Sequence, residues 1–307
     1  MSLLNMPSDG TRGVLVAIYR LLLSEKFMDR DRLLSLCAPN GGASDQKYVR
    51  ITLNTWVDLG VFERSPEDKI SISPLIPTKD RREDLLPVWA SRRALAAENN
   101  KRFWEAENSG SADFTRATAW LLAQDVYEAE HSSWDLVLPI MGIQTPGNDG
   151  IFGQNSTRWN GLRAWAPFLG FGGVGNTKGS PLIIDPTEAL RHALPIMFGK
   201  RTTLAADEFL AAVAVAVPVL DQGAYRKLVE DKLGAHESPA GWLSPPPGQL
   251  STSLSRALLR LTSDETLRGE KRADAPTRAR LTGRKRKVIT EYSHFSFGNL
   301  EQSTKKR

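Results

Sequence analysis

The chain contains one cysteine among its 307 residues, and this scarcity excludes two kinds of stabilising site. A lone thiol forms neither an intrachain disulfide nor a cysteine-based zinc cluster. Cys37 lies among leucines in the segment DRLLSLCAP, so we interpret it as a buried structural thiol. An intracellular protein fits this cysteine usage best.

Histidine is also scarce, and the four histidines are far apart: His131, His192, His236 and His294. None lies four residues from another, and no H-E-x-x-H or Cys/His grouping occurs, so the sequence predicts no metal site. The segment HSSWD, at 131–135, has hydrolase-type residues but no G-x-S-x-G turn to expose a serine. Glu67-Asp-Lys69 resembles part of a nuclease motif, but it lies in a predicted turn with no Asp-bearing strand before it. We predict no catalytic residue and no enzyme.

Long apolar runs are absent as well. The longest, Phe209 to Leu220, is about half of the roughly 20 residues that a membrane span needs, and it contains Pro218. The start, MSLLNMPSDG, lacks the basic region and apolar core of a secretory signal. We expect a cytoplasmic protein with no membrane partner.

One glycine-rich segment has the spelling of a cofactor motif. Residues 170–175, GFGGVG, match G-x-G-x-x-G, but a predicted helix precedes them and the turn sequence NTKGSP follows. A dinucleotide site needs a strand before this motif and a helix after it. We therefore predict a glycine-rich hairpin tip and no cofactor.

Positive charge is plentiful at one place. Residues 268–287, RGEKRADAPTRARLTGRKRK, contain nine Lys or Arg against two acidic residues, whereas residues 1–267 sum to about −3. A basic cluster of this kind indicates a polyanionic partner. A solvated basic tail without a specific partner is the alternative.

The segment KYVRITLNTWVDLGVFERSPEDKISISP, at 47–74, changes its apolar period halfway along. Val49, Leu53, Trp56 and Leu59 have helical spacing, and after Gly60 two short apolar pairs flank the turn sequence SPED. This pattern predicts a helix followed by a hairpin. Two further helices are predicted before it, at 11–23 and near 30–37, with Pro39-Asn-Gly-Gly as the stop of the second. Three helices and a hairpin are the element order of a winged helix-turn-helix domain.

Two later segments repeat this pattern. Near the C-terminus the helical spacing of 49, 53 and 56 recurs in Leu254, Leu258 and Leu261. The pair Thr266-Leu267 follows them, and a second strand is predicted at 279–282. In the middle, Leu162-Arg-Ala-Trp165 resembles Leu53-Asn-Thr-Trp56, although Pro167 should kink or stop its helix. Each segment predicts a further helix with a wing.

The predicted fold class is mainly α with small β-hairpins, α+β, with tandem winged helix-turn-helix domains joined by helical connectors. Connecting helices are predicted at 92–106, 114–129, 185–197 and 207–233. The segment SPPPG, at 244–248, favours a stiff polyproline spacer, and 288–297 predicts a last strand. The predicted divisions are a winged helix at 1–80, a helical connector with a second winged helix at 81–200, a helical segment at 201–243, a basic winged-helix-like domain at 249–297 and a disordered tail at 298–307.

Basic and amide side chains opposite the apolar helix faces have the chemistry of groove and phosphate contacts. The predicted DNA-binding residues share this placement or lie in the basic wing: Lys47, Arg50, Asn54, Arg158, Arg163, Arg256, Arg260, Lys271, Arg272, Arg280, Arg284, Lys285, Arg286 and Lys287. Asn160 and Arg278 accompany them. Exposed charges are normal on any helix, and many winged helices bind proteins, so a protein-binding role stays open.

The chain resembles the DpdG family in three places taken together: the N-terminal MSLLNMPSDGTRGVLVAIYRLL, the winged-helix pattern through Ile72, and the end EYSHFSF. That resemblance implies an accessory component of the bacterial deazaguanine-in-DNA modification and restriction cluster. It implies helicase and nuclease partners in phage defence, and it brings no catalytic residue.

The sequence favours a non-enzymatic adaptor that binds duplex DNA, with affinity from the basic C-terminal region and placement from the N-terminal third helix. A winged-helix transcriptional regulator is one alternative, but no heptads or ligand domain supply a dimer. A protein-interaction scaffold within a defence complex is another, and an enzyme of unrecognised type is a third.

Overall fold

The computed structural model describes residues 2–4, 12–38, 42–105, 107, 109–129, 132–145, 151, 156–174, 181–234 and 242–298. These residues are mainly helical, with small antiparallel sheets, as the sequence predicts. The chain divides into two compact units. Unit 1 comprises residues 1–118 and 132–182, and unit 2 comprises residues 119–131 and 183–307.

In the described part of the chain there are eleven α-helices and ten strands. The helices are α1 (Arg12–Glu25), α2 (Arg30–Cys37), α3 (Ala43–Asp58), α4 (Leu86–Ala94), α5 (Ala112–Ala123), α6 (Trp134–Gln144), α7 (Ser156–Phe168), α8 (Thr187–Phe198), α9 (Ala206–Ala216), α10 (Ala224–Gly234) and α11 (Thr252–Ser263). The strands are β1 (Phe27–Asp29), β2 (Phe62–Arg64), β3 (Lys69–Ile72), β4 (Gly172–Val174), β5 (Leu182–Ile184), β6 (Thr203–Ala205), β7 (Arg268–Glu270), β8 (Ala279–Thr282), β9 (Val288–Tyr292) and β10 (His294–Ser296).

The first part of unit 1 packs three helices on a small sheet. Strands β1, β3 and β2 form an antiparallel sheet in that order, so the strand after α1 lies at one edge and β3 is central. On α3, Val49, Leu53 and Trp56 are buried, which confirms the predicted apolar face. The sequence predicted the hairpin β2–β3 and missed the short strand β1.

Helix α7 repeats the local geometry of α3. Gly60 and Gly170 end the two helices with φ of 85° and 88°, a left-handed conformation that glycine adopts without a steric penalty. The N–H of Val61 donates to Trp56 O at 2.8 Å, and that of Phe171 donates to Ala166 O at 2.7 Å. The sequence similarity of these two segments therefore reflects a shared helix ending.

Pro167 lies in the last turn of α7, and the helix ends at the next residue, Phe168. After α7, β4 pairs with β5 in a two-stranded sheet. The rings of Trp56 and Trp165 pack with their centroids 5.1 Å apart in the core of unit 1.

Unit 2 contains a second three-stranded antiparallel sheet, in the order β6, β10, β7. The strand that precedes α9 lies at one edge, the strand that follows α11 lies at the other, and the last strand is central. This is the strand order of the first sheet, formed here by β6 after α8 and by β7 after α11. Phe295 on β10 stacks on Phe209 of α9 with centroids 4.2 Å apart.

The hairpin β8–β9 is an insertion between β7 and β10. Ala279 pairs with Tyr292, Arg280 with Glu291 and Leu281 with Thr290, after which the register shifts and Thr282 pairs with Val288. The strand predicted at 279–282 is confirmed, but the expected pairing with the strand after α11 is wrong. Strand β7 pairs with β10 instead, and the predicted strand at 288–297 is split at Ser293.

The connecting helices are shorter than predicted. Helix α4 ends at Ala94, so the helix predicted at 92–106 is wrong, and the one predicted at 207–233 is divided by Pro218 into α9 and α10. Two predictions lie outside the described residues: the helix stop at 39–41, and the tail at 298–307 apart from Gly298. No helix in the described part of the chain is long and apolar enough to span a membrane. The predicted five-part division is finer than the two units.

Candidate nucleic-acid interface

The hairpin β8–β9 is anchored to unit 2 along β8. The Oγ1 of Thr282 donates to Leu250 O at 2.8 Å, and the backbone N–H of Thr282 donates to the Oγ of Ser255 on α11 at 2.8 Å. The N–H of Leu250 donates to Arg280 O at 3.0 Å. Ala279, Leu281 and Thr282 are buried, so the base of the hairpin is fixed while its tip is exposed.

The tip consists of four consecutive basic residues in a tight turn. The N–H of Lys287 donates to Arg284 O at 3.3 Å, and Lys285 and Arg286 between them have φ of 54° and 53°. Two successive left-handed residues are typical of a type I′ turn, in which Asn-Gly is the preferred pair. Non-glycine residues in this conformation are strained, and such strain is concentrated at functional sites.

Acidic side chains neutralise part of the basic cluster. Glu291 accepts from Arg278 and lies 3.8 Å from the Nε of Arg280, and Glu270 accepts from Arg272 at 2.9 Å. The hydrogen bond from Arg278 lowers the pKa of Glu291, and that from Arg272 lowers the pKa of Glu270. These carboxylates therefore stay ionised near neutral pH and hold three of the predicted or accompanying arginines.

Arg286 is held by the spacer that precedes α11. One of its terminal nitrogens donates to Leu243 O at 2.9 Å and to Ser244 O at 3.2 Å, and its Nε lies 3.7 Å from the Oδ2 of half-buried Asp125. Trp242 fixes the same spacer by donating from Nε1 to Ala123 O at 2.8 Å. Arg286 thus stabilises the hairpin tip more than it offers a free charge.

The remaining basic side chains of the cluster are exposed. Within the described residues no acidic side chain forms an ion pair with Arg268, Lys271, Arg284, Lys285 or Lys287. Four of these were predicted. Arg268 was missed, because it begins a strand and the prediction concentrated on the wing and the run after it.

On unit 1 the predicted residues of α3 differ in exposure. Lys47 and Arg50 are exposed and Asn54 is half-buried. They lie opposite the buried Val49 and Trp56, as the helical spacing predicts. Tyr48 and, on α2, Leu36 add exposed apolar surface to this part of unit 1.

The exposure predicted for Arg158 on α7 is wrong. Its side chain is 4% exposed and forms an ion pair with Glu107 at 3.0 Å. Arg163 is half-buried, while Asn160 is exposed as predicted. The sequence prediction set Arg158 opposite the apolar face, but Arg158 lies seven residues before Trp165 and therefore on the same side of the helix. It is buried with Leu162 and Trp165, as Val49 is buried with Leu53 and Trp56 on α3.

Helix α11 is buried along one broad face that includes Ser253, Leu254, Ser255, Leu258 and Leu261. Arg256 donates to Ile184 O, and Arg260, whose side chain is 56% exposed, donates to the Oδ2 of Asp185. Burial lowers the pKa of the Arg256 guanidinium. Both arginines, predicted as groove contacts, connect α11 to the start of α8 in this structure.

Two apolar residues directly after the basic run were not predicted as part of a site. Val288 and Ile289 are 45% and 56% exposed at the start of β9. Their only sequence signal is an apolar pair next to RKRK, and the alternating pattern assigned it to a strand. In the described residues no group of three or more His, Cys, Asp or Glu side chains could hold a metal ion.

Together these features define a mainly helical protein with a small sheet in each unit and a basic, exposed hairpin on unit 2. The chain belongs to the DpdG-like family, whose model matches residues 1–275. Membership implies a role in the Dpd DNA-modification defence system. No curated protein and no solved structure matches the chain. The hairpin β8–β9 lies beyond the matched residues.

Proposed function

We propose that the protein is a non-enzymatic, cytoplasmic DNA-binding adaptor of the Dpd system, and that unit 2 supplies its affinity for duplex DNA. One observation supports this most strongly. Five exposed basic residues without ion-pair partners in the described chain lie on the hairpin tip and the adjoining strand and loop. Lys and Arg in such a cluster bind phosphates and release condensed counterions.

We further propose that both sheets belong to winged helices. The first is α1, β1, α2, α3, β2 and β3, and the second is α8, β6, α9, α11, β7 and β10, with α10 inserted before its third helix. The shared strand order supports this assignment. In the second winged helix both arginines of the third helix already have partners, Ile184 O and Asp185, so the inserted hairpin β8–β9, and not α11, contacts the DNA.

In the first unit, Lys47, Arg50 and Asn54 place the protein on DNA. Arginine and lysine suit guanine edges or phosphates, and asparagine suits adenine. Residues 1–72, which contain this first winged helix, have nine basic and nine acidic residues, so they add little long-range attraction to DNA. Helicase and nuclease components of the same system are the partners that family membership suggests.

A second candidate for unit 1 is contact with a protein partner. Phe27, Leu36 and Tyr48 are exposed apolar residues on consecutive elements, β1, α2 and α3. A neutral, partly apolar surface is better suited to a protein than to phosphates. Under this alternative, Lys47→Glu with Arg50→Glu leaves DNA affinity unchanged and weakens the pairing with another component of the system.

The test measures equilibrium binding of the full chain to duplex DNA at about 0.1 M salt. In the test variant Lys271, Arg284 and Lys287 are changed to Gln, and Lys285 is changed to Asn because Asn tolerates its left-handed conformation. Since each lost phosphate contact removes close to one released counterion, we expect affinity at least about 100-fold weaker.

The matched control also removes four exposed charges: Arg12→Gln, Lys79→Gln, Lys200→Gln and Lys227→Gln. These residues lie on α1, the 3₁₀ turn at 78–80, the turn after α8, and α10. None of the four belongs to the basic cluster at 268–287, so the control should change affinity less than about threefold. Equal losses in the two variants would show that net charge, and not this hairpin, binds the DNA.

A further inference from the structure

The apolar residues beside the basic tip are presented by a β-bulge. Leu281 pairs with Thr290 and Thr282 pairs with Val288, so Ile289 is the extra residue that has no partner across the hairpin. A bulge redirects the side chain of the extra residue and increases the local twist. Ile289 is 56% exposed in this position, directly after Lys287 and Val288.

Gly283 makes room for Ile289. A Cβ atom added at position 283 would lie 2.4 Å from the Cδ1 of Ile289, closer than real Cβ contacts allow. The backbone of Gly283 has a negative φ of −117°, so its conformation does not require glycine. The nearest atoms are the outer atoms of the exposed Ile289 side chain, so a larger residue at position 283 would displace that side chain. The bulge thus presents an exposed isoleucine next to the charged turn.

The cost of exposure argues for a partner at this place. Val288 and Ile289 lie next to Arg284, Lys285 and Lys287, which have no acidic partner among the described residues. An apolar pair bordered by unpaired positive charge is complementary to a surface that offers phosphates beside flat apolar groups. The minor groove of DNA has this combination, and proteins that bind there insert apolar side chains between base pairs.

We propose that the tip of β8–β9 enters the minor groove, with Ile289, supported by Val288, as a wedge that partly unstacks a base step and bends the duplex. This proposal rests on the proposed function and adds to it a mode of contact and a preference for easily deformed steps. Pyrimidine–purine steps such as TA kink readily, whereas A-tracts are stiff. The protein should therefore favour a duplex with a central TA step over an A-tract.

The experiment compares the wild type, Ile289→Ser and a double variant with Val288→Ser on a duplex of about 20 base pairs that is labelled at both ends. Energy transfer between the labels reports bending, and a salt titration separates the two parts of the affinity. Isoleucine and valine are uncharged and release no counterions, so their replacement by serine leaves the slope of log affinity against log salt concentration unchanged. The affinity extrapolated to 1 M salt falls about 10- to 100-fold, as expected when two half-exposed apolar side chains lose their burial.

Ile196→Ser is the matched control, because Ile196 is 63% exposed on α8 and away from the hairpin in sequence. It should leave both the bend and the affinity unchanged. Gly283→Ala gives a second test that keeps Ile289 but displaces it, and we expect an intermediate loss of bending. Thermal unfolding of each variant shows whether the fold is retained.

The outcomes separate this proposal from the one it rests on. A steep salt slope without bending, unaffected by Ile289→Ser, would overturn the wedge and leave the DNA-binding function standing. Absence of duplex binding by the wild type would overturn both. Binding to vesicles of anionic phospholipid that depends on Ile289, with DNA binding that does not, would assign the apolar pair to a membrane surface and overturn the wedge.

Discussion

Tyr19 shows how one residue limits the stability of unit 1. Its ring is fully buried on α1 and packs near Phe62, and its hydroxyl group has no hydrogen-bond partner among the residues that the structure describes. Burial raises the pKa of Tyr19 to about 12. An unpaired buried hydroxyl is costly, and its ionised form would be more so.

Tyr19→Phe should therefore be neutral or stabilising by up to about 1 kcal/mol at pH 7. The pKa of Tyr19 is higher in the folded state than its unfolded value of about 10. Below pH 10 the hydroxyl group is neutral in both states, and the wild-type protein has its full free energy of unfolding. Part of that free energy is lost as the pH rises from 10 to 12. Urea unfolding across that range should show a smaller loss in the variant than in the wild type. A loss of equal size in both proteins would mean that the hydroxyl is hydrated in the fold.

Trp56 provides a second residue-scale prediction. It is fully buried against Trp165, and in the described part of the chain its indole N–H has no hydrogen-bond partner. Trp56→Ala should lower the free energy of unfolding by about 3–5 kcal/mol because it leaves a cavity, and Trp56→Phe should cost less because no hydrogen bond is lost. Leu36→Ala, at a 58% exposed site, should change stability by less than about 0.5 kcal/mol. Equal costs for Phe and Ala would indicate that the indole N–H has a partner in solution.

Residue-scale prediction from the sequence succeeded where a single packing face decides burial. Val49, Leu53 and Trp56 on α3 are such a case, since helical spacing alone specifies their side. The exposure predicted for Arg158 was wrong, because Arg158 has the same spacing to Leu162 and Trp165 as Val49 has to Leu53 and Trp56, and it lies on the buried face with them. The partners of Arg256 and Arg260 lie more than 70 residues away in the sequence, and no local pattern identifies them.

At the scale of elements, the hairpin β8–β9 combines a strained turn, a bulge and a close glycine contact. The sequence predicted β8 with the correct bounds but gave it the wrong partner. Strand pairing depends on which segments the rest of unit 2 brings together, and the alternation within 288–297 does not specify a neighbour. The pairing of β7 with β10 across the inserted hairpin is a long-range contact of this kind.

The left-handed turn yields a prediction for Lys285. Lys285→Asn should stabilise the protein by about 0.5–1 kcal/mol, because Asn tolerates the left-handed conformation, while DNA affinity falls several-fold with the lost charge. Lys287→Asn is the matched control, since Lys287 has an ordinary extended conformation. It should reduce DNA affinity to a similar extent without the gain in stability. Thermal unfolding and DNA binding measured together check both variants, and a destabilised Lys285→Asn would show that the turn is not strained.

At the scale of the whole molecule, charge is divided unevenly along the chain. Residues 1–72 are neutral in sum, whereas residues 268–287 have an excess of seven positive charges. The sequence predicted this asymmetry from composition alone. It did not indicate that acidic neighbours and backbone carbonyls already bind about half of the basic side chains, which leaves Arg268, Lys271, Arg284, Lys285 and Lys287 for a partner.

The central claim is that these exposed residues on unit 2 bind the phosphates of duplex DNA. The most direct measurement is the slope of log affinity against log salt concentration for the wild type and for the variant with neutral residues at 271, 284, 285 and 287. Since each phosphate contact contributes about −0.9 to the slope, the wild type should show a slope of about −3.6 or steeper, and the slope of the variant, which lacks four positive charges, should be shallower by about 3.6. A wild-type slope that the variant retains in full would contradict the account.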